Sequence, residues 1–218
     1  MTPRVWGIGW VDARAYGCVG RQRKEAWSLE ADLQRAGGNR AFFAYPVKNY
    51  ARFNRPAQLA CCAIALALRD AGVSYSADAR RDMAVVGASE EGCLAANREY
   101  FADYVACGRT LARGNLFIYT LPTSPLAEAA IHFGFQGPLF HVTTNVAPLA
   151  RLVALAAAMV RRGETTAAMA VLTAGDRAMC LALAPALPGD SGGLCSADEA
   201  AAIAPPDWPR TFLTSWRK

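Results

Sequence analysis

Apolar and polar positions alternate in blocks along the chain. "RVWGIGWV", Arg4 to Val11, is β-branched and aromatic with glycine breaks and predicts a first strand. A polar helix is expected over roughly Lys24 to Arg35, closed by Gly37 and Gly38. "FNRPAQLACCAIALALRDAG" predicts a buried helix: Asn54 can cap it, Pro56 suits its first turn, and Gly72 ends it. Asp82 to Ser89 is a short buried strand. "EEGCLAANREYFADYVACG" follows as an amphipathic helix, with Leu94, Phe101 and Val105 on one side. A loop leads to a helix from Leu126 to Phe133, stopped by Gly134. "PLFHVTT" is the third strand. An Ala-rich helix from Pro148 to Arg162 ends at Gly163, and "TAAMAVLTAG" and "AMCLALAP" complete five strands. Strands alternating with helices predict an α/β fold, βαβαβαββ, with a mostly parallel five-stranded sheet and helices on both faces. The Gly-, Ser-, Asp- and Pro-bearing segment 187–218 reads as an irregular tail behind a domain spanning 1–186.

Composition narrows the class. The chain has 218 residues, 53% hydrophobic and 19% charged, which suits a folded domain with a sizeable core. The longest apolar run, Leu152 to Val160, is far short of the ~20 residues a membrane span needs. With no signal peptide at "MTPRVWGIGW", a soluble cytoplasmic protein is expected. Seven cysteines without a CxxC pair fit free thiols, with Cys61, Cys62 and Cys180 in apolar runs, and neither a disulfide framework nor a metal site. The net charge of +5 comes mostly from scattered arginines, with no aromatic-interleaved basic stripe for nucleic acid.

The central residues carry a family resemblance. "YTLPTSPLAEAAIHFGFQGPLFHVTTNVAPLARLVALAAAMVRRGETTAAMAVLTAG" resembles the core of β-ketoacyl-acyl-carrier-protein synthases. "TLP" before a helix, "GFQGP" before a strand, "VTT" before the corner and "MVRRGE" at the helix end stand in that family's order. The resemblance spans Arg4 to Pro185 and implies one half of a thiolase fold. It also implies where the chemistry should lie: aligned without gaps from Thr143 to Gly163, the family's nucleophilic Cys falls on Val146. Leu149 stands where the family usually has Gly, which implies a relaxed turn. The two catalytic histidines of active members come from a second half that would begin where this chain ends. His132 and His141 match neither, and a structural role is expected for both.

A valine cannot hold an acyl group, so no catalytic residue, cofactor or metal is expected in this chain. The sequence resembles the chain-length factors, which are silent partners of an active ketosynthase, and among them short members of aryl polyene and pigment pathways. Full-length chain-length factors commonly place Gln at the Cys position, and Val146 departs from that. The resemblance implies a heterodimer with a full-length β-ketoacyl-ACP synthase, with an acyl carrier protein reached through the complex. Leu116, Phe117, Tyr119, Thr120, Leu121 and Pro122 are the expected acyl-tunnel residues. Phe140, His141, Val142, Thr143, Thr144 and Asn145 are the expected dimer-interface strand and corner.

Two physical expectations accompany this reading. The helix from Ala147 to Val160 has almost no polar face and should be buried on all sides, so a partner must cover it. Otherwise an apolar patch of several hundred Å² would be exposed. The alternatives are a self-associating acyl-binding module, and a condensing or acyl-transfer enzyme using another residue such as Cys93 or Ser191. "PGDSGGLC" is similar to the nucleophile segment of trypsin-like proteases, but no matching His and Asp precede it and the pattern is α/β.

Overall fold

The computed structural model describes residues 2–110, 113–144, 146–186 and 192–203. In chain order the elements are β1 (Pro3–Val11), β2 (Ala15–Cys18), β3 (Arg23–Ala26), α1 (Leu29–Ala36), α2 (Arg55–Asp70), β4 (Met83–Ser89) and α3 (Leu94–Ala106). They continue as α4 (Gly114–Ile118), α5 (Ser124–Phe133), β5 (Leu139–His141), α6 (Pro148–Arg162), β6 (Ala167–Ala174), β7 (Arg177–Pro185), β8 (Cys195–Ser196) and α7 (Ala197–Ile203).

The five expected strands form one sheet in the order β1-β7-β6-β4-β5. β4 runs parallel to β5 and β6, while β7 runs antiparallel to both β6 and β1. Four of these strands therefore point one way and β7 opposes them. The sheet exceeds the expectation at the far side of β1, where the β2–β3 hairpin and the short β8 add three strands.

Helices cover both faces. α1, α2 and α5 pack over one face, and α6 and α7 over the other. The expected buried helix is α2. Asn54 Oδ1 accepts from Ala57 N–H at 3.1 Å, and every residue from Ala57 to Leu68 is buried. It lies against the backbone of β1: a Cβ added at Gly9 would sit 2.3 Å from the Ala63 carbonyl oxygen. The strand glycines and helix alanines thus form one close contact.

Four expectations change. The helix expected from Lys24 begins only at Leu29, because Arg23–Ala26 pairs with β2 as a strand. Tyr16 on β2 donates its hydroxyl hydrogen bond to Glu25 and meets Trp27 edge to face, and Trp27 Nε1 donates to the Asp12 carbonyl at 2.7 Å. Strand pairing and aromatic packing here outweigh the helix preference of Lys24 and Glu25. In α3, the side carrying Leu94, Phe101 and Val105 faces outward, and none of the helix's residues is buried.

α6 is not buried on all sides. Leu149, Leu152, Val153, Ala156, Ala157, Met159 and Val160 pack inward, while Arg151 and Ala154 are exposed. The helix lies on the sheet by one face, and part of the remainder is covered by α7. The segment after 187 is therefore not irregular throughout: β8 pairs with Arg4 and Val5, and Cys195, Ala197 and Ala200 join the α6-side core. Ser196 and Glu199 form a reciprocal cap that starts α7, with Ser196 N–H donating to Glu199 Oε2 and Glu199 N–H to Ser196 Oγ. Residues 187–191 and 204–218 lie outside the described residues.

Candidate functional site

The strands β4, β5 and β6 end on the same side of the sheet, and a cavity of about 360 Å³ opens there. Strand order reverses between β4 and β6, because β4 leads outward to β5 and the chain then returns to β6. Crevices at the carboxyl ends of strands at such a reversal are the common ligand position in α/β sheets. The α2 side of the cavity is set by Asn54, Arg55 and Pro56, and the strand side by Ser89, His141 and Thr173. Tyr119, Leu121, Pro122 and Leu126 supply apolar wall. Arg55 is ion-paired with both Glu30 and Asp176, fixing the α2 start to the β6–β7 turn at the cavity edge.

Residues expected at two separate sites meet here. Tyr119, Leu121 and Pro122 from the expected tunnel segment share the cavity with His141 from the expected interface strand. Tyr119 is buried, and its hydroxyl lies 3.4 Å from Glu128 Oε1. Burial, then the nearby Glu128 carboxylate, pushes the phenol upward. Leu116, Phe117 and Thr120 are not part of the cavity wall. Phe117 is exposed on α4 and meets Tyr100 of α3 in a tilted ring contact, with 5.6 Å between centroids. Together with Phe101, Val105 and Ile118 it belongs to the apolar surface left open by α3 and α4.

β5 is an edge strand of three residues, and Phe140 on it is 49% exposed. Val142 N–H donates to the Gly87 carbonyl at 2.8 Å and continues the pairing briefly past His141. Thr143 is exposed, and Thr144 Oγ1 donates to the Val146 carbonyl and accepts from Val146 N–H. Asn145 lies outside the described residues, as does Ser191. Val146 is 59% exposed at the corner before α6. The left-handed conformation falls on the next residue, Ala147, at φ 43°. Leu149 is buried in the α6-side core.

The two histidines have different surroundings. His132 sits among Phe43, Tyr45, Tyr75 and Phe133, with Tyr45 at 4.5 Å between ring centroids. Burial lowers its imidazole to about 4. His141 instead reaches the cavity, where Ser89 Oγ lies 3.0 Å from its Nε2. Burial lowers the imidazole of His141 as well. The pairing of Ser89 with His141 was not foreseen. The two residues are 52 positions apart, and only the parallel register of β4 with β5 brings them together. Cys93 also borders this cavity, at the start of α3.

Among the described residues, no cluster of His, Cys, Asp and Glu could hold a metal ion, and no helix is long and apolar enough to cross a membrane.

The fold matches ketosynthase structures. A β-ketoacyl synthase from Burkholderia phymatum aligns with a TM-score of 0.59 at 15% identity, over 84% of this chain and 59% of that one. The ishigamide ketosynthase/chain length factor aligns at 0.58 and 13% identity, over 88% of this chain and 64% of that one. A chain of the Xenorhabdus doucetiae ketosynthase in complex with its chain length factor aligns at 0.56 and 14% identity, over 84% and 79%. The chain thus spans less than two thirds of the first two structures, and at these identities the likeness shows the fold. None of the curated proteins matches the sequence. Residues 16–205 match the β-ketoacyl synthase N-terminal domain, and the chain belongs to that family.

Proposed function

We propose that this chain is a ketosynthase-like subunit of the chain-length-factor type. It does not condense acyl groups itself. It pairs with an active β-ketoacyl-ACP synthase and shapes the acyl tunnel during fatty acid, polyketide or aryl polyene chain elongation in the cytoplasm. The observation that carries this reading is Val146, an exposed valine at the corner between β5 and α6, where the family resemblance puts the nucleophile. An alkyl side chain offers no lone pair for acyl transfer. The exposed edge of β5 and the apolar surface of α3 and α4 support a protein partner, since large apolar groups are gathered there in the open. The partner supplies the nucleophile, and the carrier protein delivers substrate to the complex. Tyr119, Leu121 and Pro122 bound the acyl chain, while Phe117 and Leu116 face the partner.

Native mass spectrometry of the chain alone, and co-expressed with the ketosynthase encoded nearest to it, tests the pairing. A one-to-one complex is expected. A stable homodimer that ignores the ketosynthase overturns the reading in favour of a self-associating acyl-binding module. Within the complex, Tyr119→Ala removes a phenol from the cavity wall and should lengthen or scatter the products. Product length unchanged from wild type would remove the tunnel role.

A further inference from the structure

The cavity holds a polar pair that a passive tunnel wall does not require. Ser89 and His141 close the carboxyl ends of neighbouring strands, on the sheet face that carries α2 and α5. The register sets Gly87 opposite His141, so Ser89, two residues on, projects to the same face. Gly87 between them carries no side chain, which lets Leu126 of the cavity wall pack directly on the strand: a Cβ there would meet Leu126 at 2.5 Å. Backbone pairing on β5 and the Val142–Gly87 hydrogen bond hold the imidazole's position.

The geometry points to Ser89 and His141 as a nucleophile–base pair that takes acyl groups from thioesters held in this cavity. In the Nδ1–H tautomer the Ser89 hydroxyl donates to Nε2, the arrangement in which a serine is activated by an adjacent base. Burial favours the neutral imidazole that such a base needs. The first step joins Oγ to the acyl carbon while the Oγ proton passes to Nε2. The carbon–sulfur bond then breaks, and the imidazolium returns that proton to the departing thiolate. In the second step water attacks the acyl carbon as the same imidazole takes its proton, the acyl–Oγ bond breaks, and the imidazolium returns that proton to Oγ. A carboxylic acid leaves and Ser89 is restored. The pair would thereby release stalled acyl chains, a hydrolytic activity separate from condensation. This inference rests on the cavity being an acyl pocket.

The test uses the full chain, without a ketosynthase, and octanoyl-N-acetylcysteamine as probe. Free-thiol release, intact mass, peptide mapping and calorimetric binding are measured together. The expected result is thiol release with an acyl adduct mapped to Ser89. Ser89→Ala should abolish the adduct, and His141→Gln should slow its formation about 100-fold. An adduct on Cys93, which borders the same cavity, would overturn the proposal, as would thiol release undiminished in Ser89→Ala. Binding without release or adduct would also overturn it while leaving the acyl pocket intact. Absence of both binding and release would remove the acyl pocket too. Mapping on the wild-type chain keeps the test decisive even where a variant folds poorly.

Discussion

Gly9 shows how a single residue decides the central packing. It is buried in β1, and its hydrogen in place of a methyl group lets α2 approach to backbone contact. An added Cβ would lie 2.3 Å from both the Ala63 carbonyl oxygen and the Ala67 nitrogen. Backbone cannot move aside as a flexible side chain would, so Gly9→Ala should cost about 3 kcal/mol. Gly38, with nothing within 4 Å of a built Cβ, is the control, and Gly38→Ala should stay within about 0.5 kcal/mol. Urea unfolding of the two variants checks both. His132 predicts a pH dependence. Its folded imidazole protonates at about 4, against 6.5 for the free side chain. Between these values the unfolded chain binds more protons. The stabilisation is therefore complete above 6.5 and is lost as pH falls toward 4. Its ring is only partly buried, so the loss should be on the order of 1–2 kcal/mol. Urea midpoints from pH 7.5 down to about 4 should fall, and His132→Phe should flatten the slope.

At the scale of elements, local pattern was a good guide wherever an end signal was present. Asn54 and Pro56 start α2, Gly134 ends α5 at φ 69° and Gly163 ends α6 at φ 72°. Where long-range pairing competed, the pattern misled. Lys24 and Glu25 read as helix, yet the hairpin partner β2 holds them extended. The opposite error occurred in the tail. Ser196-Ala197-Asp198-Glu199 is a capping box, a local signal that identifies the start of α7. Because β8 and α7 complete the cover over β1 and α6, ending the chain after Ala186 should expose Val5 and part of α6. Loss of the small side chains buried there should cost at least about 2 kcal/mol. Thermal melts and soluble yield of residues 1–186 against the full chain measure this.

At the scale of the whole molecule, the distribution of apolar surface separates folding from assembly. Phe140 sits half in the open on the edge strand, so its side chain adds little to the core. Phe140→Lys should leave the urea midpoint within about 0.5 kcal/mol of wild type, because a lysine on an edge is tolerated. The same change should weaken a complex formed along that edge by at least about 100-fold, since a charge there has to be desolvated. Titration by native mass spectrometry, beside the unfolding curve, separates the two effects. The order of the five central strands and of the helices α1, α2, α3, α5 and α6 among them, the buried character of α2 and the valine at the corner all follow from the sequence itself. Hydrophobic period, caps and glycine stops act over a few residues and leave their mark there. Tertiary structure alone decided that Tyr119 and His141 share one cavity, that Ser89 faces His141, and that α3 turns its apolar side outward. Each depends on which distant segment arrives next to another. Strand register sets that for Ser89 and His141, and for Phe101 it is set by α4 packing on α3 at Tyr100 while no described element covers Phe101 itself. No local periodicity encodes either.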